Sequence, residues 1–233
     1  MLNLKKHWRS IYQSVIGTTK YFYLTPSHYT LTRTLQPIIT THASGKILDA
    51  GAGEMTYRFL LEPRSNEYVP VDKYQTHPAI KIADIERLPF TDGFFDTVFC
   101  SQVIEHVPHP WIAFSELSRT LKKGGKMILT VPHLSYLHGE PEDFYRFTKH
   151  ALSRLAEEHQ LHTKSIVAAG GLIAFLLTPV AIAILAILSY LPLPQFIGFG
   201  FIKYFSILAS LIDNKIDQKK LFALNYVAVF EKL

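Results

Sequence analysis

Between Ile47 and Glu54 the chain reads Ile-Leu-Asp-Ala-Gly-Ala-Gly-Glu, a short apolar run that ends in an acid and two glycines one residue apart. A glycine has no Cβ, so backbone here can approach a ligand closely, and a strand running through such a turn into a helix presents N–H groups to a small molecule. Asp72 follows Gly53 by 19 residues, the separation at which an acid ending the next strand accepts hydrogen bonds from a ribose diol. Two features argue against a dinucleotide. Thr56 stands where a third glycine is expected, and Glu54 puts negative charge where a pyrophosphate would meet the helix N-terminus. The turn therefore suits a nucleoside ligand without phosphates.

A second group of chemically capable residues lies between Pro132 and Phe147. His133 is the first candidate for a general base and His138 the second, against a plainer role in loop hydrogen bonding. Tyr145 and Arg146 are candidates for holding substrate; Arg146 can clamp an anionic acceptor or pair with Glu142 or Asp143. His133, His138, Glu142 and Asp143 have no fixed ligand spacing, so no metal is expected. Glu105 and His106 are expected to start the following helix.

Short apolar runs alternating with helical stretches from residue 46 onward are the rhythm of βα units. Strands are expected at Lys46–Ala50, Tyr68–Asp72, Ile80–Ala83, Thr97–Ser101, Lys126–Val131, Thr163–Ala168 and Leu224–Glu231, with helices near Tyr57–Leu61, Pro110–Leu121 and Lys149–His159. Lys122-Lys123-Gly124-Gly125 would cap the second helix, its cations on the last carbonyls and a glycine in a left-handed turn.

Two regions sit outside that rhythm. Residues 1–48 hold six Lys or Arg and no Asp or Glu, interleaved with aromatic and aliphatic residues, while the other 18 basic and 19 acidic residues nearly cancel. Such an arm suits a solvated helix, an anionic membrane surface or, third, nucleic acid. From Ser165 to Ile202 there are 38 residues without a charge. A span of about 20 would cross a bilayer. Pro179 and Leu-Pro-Leu-Pro at 191–194 break the run, and Lys203, Ser206, Ser210, Asp213 and Asp217 then form a polar stripe at helical spacing. A last strand that returns to the same sheet requires two crossings or none, and Lys203 penalises a crossing by about 2.5 kcal/mol or more. A re-entrant or in-plane hairpin is expected, with burial against protein as the alternative. The single cysteine, Cys100, excludes an internal disulfide and zinc sites built of several thiolates, which makes cytoplasmic folding the default.

The stretch Lys46–Gly125 resembles the class I S-adenosylmethionine-dependent methyltransferases, especially the ubiquinone and menaquinone group. The resemblance is carried by Leu48-Asp49-Ala50-Gly51-Ala52-Gly53, Asp72, Ala83-Asp84-Ile85-Glu86-Arg87-Leu88-Pro89-Phe90, Phe95-Asp96-Thr97-Val98, Val103-Ile104-Glu105-His106-Val107 and the run Glu116–Gly125. Met55 stands where many members carry another glycine. The resemblance implies a doubly wound, seven-stranded, mostly parallel sheet that binds S-adenosyl-L-methionine. Asp49, Gly51 and Gly53 would cradle its methionine moiety, Asp72 would hold the ribose, Asp84 and Ile85 would flank the adenine, and Ser101 would line the sulfonium side.

The expected organisation is an arm over 1–45, a methyltransferase core over 46–170, an apolar helical hairpin over 171–220 and a final strand over 221–233. The expected activity is methyl transfer to a small-molecule or lipid-linked acceptor, such as a polyprenyl-linked saccharide or quinone precursor, with membrane contact through 171–212 and no nucleic acid. The rivals are a non-catalytic membrane adaptor, a soluble dimeric methyltransferase and, more distantly, a nicotinamide oxidoreductase.

Overall fold

In the computed structural model, which describes residues 4–188 and 195–233, the chain runs α1 (Leu4–Val15), α2 (Pro26–His42), β1 (Gly45–Ala50), α3 (Arg58–Leu61), β2 (Ser65–Asp72), β3 (Lys81–Ile82), β4 (Phe95–Ser101), α4 (Pro110–Thr120), β5 (Leu121–Pro132), α5 (Lys149–Glu158), β6 (Leu161–Ala169), α6 (Leu172–Leu188), α7 (Gln195–Ile216) and β7 (Asn225–Lys232). The seven strands lie in the order β3-β2-β1-β4-β5-β7-β6. Pairs β1–β2, β2–β3, β1–β4 and β4–β5 are parallel, and β7 is antiparallel to β5. The chain moves outward from β1 to β3 and then returns to the other side of β1. That reversal between β1 and β4 is the point at which open α/β sheets bind ligands, beyond the carboxyl ends of their strands.

The strands form where apolar residues can be enclosed on both faces, as along Thr97, Val98, Phe99 and Cys100 of β4. Helix α4 begins with proline at its first position, and Thr148 caps α5 by accepting the Ala151 N–H at 3.1 Å. One expected cap is absent. Helix α4 stops at Thr120, and Leu121, fully buried, pairs with Phe95 in the sheet. Lys122–Gly125 instead forms an irregularity in β5, with Gly124 at φ +72°, before pairing resumes at Thr97 and Lys126. Enclosing Leu121 outweighs a helix cap on exposed lysines.

The chain divides into two compact units, one of residues 35–167 with 225–233 and one of residues 1–34 with 168–224. The first, the α/β unit, holds the central core, which includes Leu48, Val98, Phe114, Met127 and Phe230. The second, the helical unit, joins the basic arm to the apolar insertion, and Val15, Leu24, Ala181, Leu185 and Ile202 form its core. Pro179 lies inside α6 without ending it. A proline there removes one helix hydrogen bond, and the Thr178 hydroxyl donates to the Ala174 carbonyl at 2.7 Å one turn back. The Leu-Pro-Leu-Pro sequence at 191–194 lies outside the described residues. None of the described helices is long and apolar enough to cross a membrane.

Four of the five polar-stripe residues of α7 face inward, while the first, Lys203, is exposed. Ser206, Ser210, Asp213 and Asp217 are buried, while Ile197, Phe201, Tyr204, Leu208 and Leu211, on the other side of the same helix, are exposed. Asp213 accepts the N–H groups of Ile173 and Ala174 at the start of α6 and the Lys220 ammonium at 2.8 Å. Asp217 accepts those of Leu172, Leu221 and Phe222. These carboxylates satisfy a helix N-terminus that has no other cap. Gly171 is required beside them, since a Cβ there would stand 2.7 Å from Asp213 and 2.8 Å from Asp217.

Candidate cofactor and acceptor site

The turn after β1 is held by backbone and acid together. The Gly51 and Ala52 N–H groups donate to the Val71 carbonyl at 2.9 Å, and the Gly53 N–H donates to the Asp72 carboxylate at 2.9 Å. Gly51 has φ +76°, and a Cβ on it would lie 2.4 Å from Val103. Gly53 has φ +51° and open space where a Cβ would go. Met55 takes φ +53°, the left-handed conformation a glycine would adopt freely, and its side chain is buried with Ala52 and Ile80 against Tyr68. Packing thus stabilises a backbone that its residue type disfavours.

Asp49, at the end of β1, is 3% exposed and accepts the Tyr68 phenol proton. Burial pushes its carboxyl up to about 7, the Tyr68 hydrogen bond opposes that rise, and the charge of Asp72 adds to it. A buried carboxylate in this condition calls for a cation. The second oxygen of Asp72 accepts the Tyr74 N–H at 2.9 Å, so Asp72 ties the glycine turn to the end of β2.

The other residues expected at a cofactor fall at neighbouring strand ends. Asp84 forms an isolated bridge with Arg87 and accepts the Glu86 N–H at 2.9 Å. Ile85 is buried in the central core. The Ser101 hydroxyl, at the end of β4, is 2.8 Å from that of Thr130, and the next residue, Gln102, is strained at φ +57° with its N–H on the Thr130 carbonyl.

The segment between β5 and α5 folds over the ends of β4 and β5. The Phe144 and Tyr145 N–H groups donate to the Glu105 carbonyl. His133 places Nδ1 3.0 Å from the Phe147 carbonyl and its ring against Tyr226. The Tyr145 hydroxyl donates to the Pro108 carbonyl at 3.0 Å. Arg146 takes the pairing role: it grips both oxygens of Asp143 at 2.6 and 2.8 Å and donates to the carbonyls of Ser135, Tyr136 and Tyr145. That guanidinium holds Asp143 well below the usual carboxylate range. His138 donates its backbone N–H to Asp143 at 2.7 Å, and burial pushes its imidazole below the ordinary value, toward the neutral form.

One residue that sequence reasoning assigned elsewhere belongs to this site. Glu105 does not start α4, whose N-cap is His109. Its side chain is wholly buried, neither oxygen has a hydrogen-bond partner, and burial pushes its carboxyl up to about 8. His106 Nε2 and His138 Nε2 stand 3.7 and 3.9 Å from the same Glu105 oxygen. Spacing could not have revealed this, because the enclosure of Glu105 depends on the loop that carries His138, 33 residues downstream.

Residues 48–129 match the family model for a methyltransferase domain. An uncharacterized methyltransferase of Mycobacterium sp. (strain KMS) is 35% identical over 101 residues, 39% of this chain and 40% of that protein. The chain thus spans well under half the length of the curated relatives it matches. Among solved structures the fold is similar to the cyclase SpnF, with TM-score 0.59, 14% identity and coverage of 85% of this chain and 80% of that one. It is also similar to an S-adenosylmethionine-dependent methyltransferase from Mesorhizobium loti, with TM-score 0.56, 13% identity and coverage of 86% and 97%.

Proposed function

We propose that this chain, whose residues 48–129 match a methyltransferase-domain family model, is an S-adenosylmethionine-dependent methyltransferase that transfers a methyl group to a lipid-linked acceptor presented at an anionic membrane surface. A cyclase shares the fold, so the reading rests on site chemistry and not on fold alone. The observation that carries it is the turn at Asp49, Gly51 and Gly53, braced by Asp72 and with no Lys or Arg among residues 49–57 to receive phosphates. Its residues suit the cofactor. Asp49 is a buried acid that a ligand ammonium would ionise, Gly53 leaves room above the turn, and Asp72, at the end of β2 beside it, would accept the ribose hydroxyls.

When bound, S-adenosylmethionine supplies an electrophilic methyl on a sulfonium. The protein then has to hold donor and acceptor in line and exclude water. Asp49 and the turn fix the donor from one side, and Ser101 and the segment Pro132–Phe147 bound the space beyond β4 and β5. A proton from an acceptor hydroxyl would go to His133, whose Nδ1 faces the Phe147 carbonyl and leaves Nε2 as its basic nitrogen.

Support for a membrane-borne acceptor comes from the helical unit. Its outer stripe on α7 is apolar, its polar stripe beyond Lys203 is internal, and it carries nine Lys or Arg against two Asp, a net +7. Both acids are engaged inside, so the exposed apolar stripe belongs to a unit with surplus positive charge, which suits anionic lipid.

Two measurements test the reading. Calorimetric titration with S-adenosylmethionine should show binding that Asp72→Ala abolishes and no binding of NAD; a folded chain that binds neither would overturn the cofactor assignment. Sedimentation with phosphatidylcholine vesicles should require added phosphatidylglycerol and weaken at high salt. Equal indifference to both vesicle types, with concentration-dependent dimerisation instead, would give the apolar face to a second copy.

A further inference from the structure

We propose that Glu105, His106 and His138 form a binding site for one divalent transition-metal ion, a role beyond methyl transfer itself. The argument begins with proton positions. His106 Nδ1 faces the Glu142 carbonyl, and His138 Nδ1 faces the Tyr136 carbonyl at 3.3 Å and an Asp143 oxygen at 3.7 Å, with the Arg146 guanidinium at 3.4 Å as the one donor nearby. Oxygen acceptors at Nδ1 hold the proton there and leave the Nε2 lone pair exposed on each ring. Backbone carbonyls and carboxylates orient metal-binding histidines in this same manner.

Both Nε2 atoms point toward one Glu105 oxygen, and the three ligand atoms lie within 4.8 Å of one another. Once Glu105 gives up its proton, three acceptors converge with no donor among them. Among the described residues, Glu105 has the only buried side-chain oxygens without a partner. Arg146 cannot answer it, because its donors go to Asp143 and to backbone carbonyls. An unanswered buried carboxylate is costly, and a cation between it and the two imidazoles removes that cost.

The spacing agrees with this. Around a metal with bonds of about 2.0–2.1 Å, neighbouring ligands stand about 3.4 Å apart, so separations of 3.7 and 3.9 Å close with movements of a few tenths of an ångström. Two imidazoles and a carboxylate favour zinc, cobalt or iron over magnesium or calcium. Three protein ligands leave a position open, and the half-exposed histidines keep it reachable by an outside oxygen at the strand ends. Gly139 maintains the fit, since a Cβ there would lie 2.9 Å from the His106 ring.

The experiment uses the full chain, stripped with a chelator and titrated with cobalt(II) and with zinc(II), by calorimetry and by the visible absorption of low-coordinate cobalt. One equivalent should bind, with a rise in Tm. His106→Ala and His138→Ala should each weaken binding by more than about 100-fold, while His162→Ala, on an exposed histidine, should not. Glu105→Gln keeps the shape and offers the imidazoles an N–H donor; it should fold at least as well as the parent, with no metal-dependent rise in Tm. Absence of stoichiometric binding by the folded parent, or binding that survives in Glu105→Gln and both histidine variants, would overturn the site. The readout needs no S-adenosylmethionine, so its failure leaves the cofactor titration untouched, and the reverse also holds.

Discussion

Both units of this chain enclose apolar cores, but the helical unit seals in a row of polar side chains along one helix and leaves an apolar stripe of that helix outside. In the α/β unit Phe95, Phe99, Phe114 and Phe230 are sealed in, and ionisable groups collect at the carboxyl ends of the strands. In the helical unit Ser206, Ser210, Asp213 and Asp217 are sealed in, and Phe201, Tyr204 and Leu208 lie outside. The difference concerns what drives folding. Apolar burial stabilises the first unit in the ordinary way. A unit that leaves an apolar stripe outside gains less from that term and draws also on internal hydrogen bonds, as helices in lipid do.

The largest effects should therefore come from different residue types in the two units. Phe114→Ala leaves a cavity in the α/β core and should cost about 4 kcal/mol by denaturant unfolding. In the helical unit the corresponding loss should come from a polar residue. Asp213→Ala strands the Lys220 ammonium and two N–H groups of α6, and should cost about 3 kcal/mol. A cost under about 0.5 kcal/mol, the size expected of a surface substitution, would break the comparison.

Next come the two glycines, which share a turn but not an environment. Gly51→Ala meets Val103 at 2.4 Å in a left-handed conformation and should cost about 3 kcal/mol and abolish cofactor binding. Gly53→Ala meets nothing within 4 Å and should cost about 1 kcal/mol. Equal losses of Tm would show that conformation, not space, governs the turn.

How much of this was legible in the sequence follows the same division. The α/β unit was readable because short apolar runs and glycine turns are local signals, and the expected strands lie within a few residues of the observed ones. The boundary at Lys122–Gly125 failed because the burial of Leu121 against Phe95 is a long-range fact. The polar stripe of α7 was visible, but its direction was not, since periodicity shows that a helix has two faces and not which one meets its neighbours. Glu105 was missed for a related reason: its residue type suggests a solvated or capping role, and only the fold encloses it.

Acid–base behaviour sharpens the contrast more gently. Burial pushes the Asp49 carboxyl up from the usual carboxylate range to about 7 in the folded chain. A raised acid means that the folded state binds the extra proton. Stability from this group is therefore full below about pH 4, falls as pH rises toward about 7 and is level beyond. Affinity for a ligand ammonium should move the other way, growing up to about pH 7 as Asp49 ionises. Tyr68→Phe removes a donor that favours the carboxylate and should shift the midpoint of affinity upward, read by calorimetry across pH. An unchanged midpoint would place the ammonium elsewhere.

The smallest effect on stability should come from the outer stripe of α7, and it is the one that most directly separates the two units. Phe201 and Leu208 are 53% and 57% exposed, so replacing both with serine removes little burial and should change unfolding free energy by less than about 0.5 kcal/mol per site. If the stripe meets lipid, each side chain loses about 1.5–3 kcal/mol of transfer free energy on substitution, and vesicle affinity should fall at least tenfold. Exposed Trp111, 49% exposed on α4 of the α/β unit, is the control: Trp111→Ser should leave vesicle binding unchanged. A double variant that keeps full affinity would mean that the positive charges alone hold the membrane. One that gains solubility and loses self-association in its place would assign the stripe to a second copy of the chain.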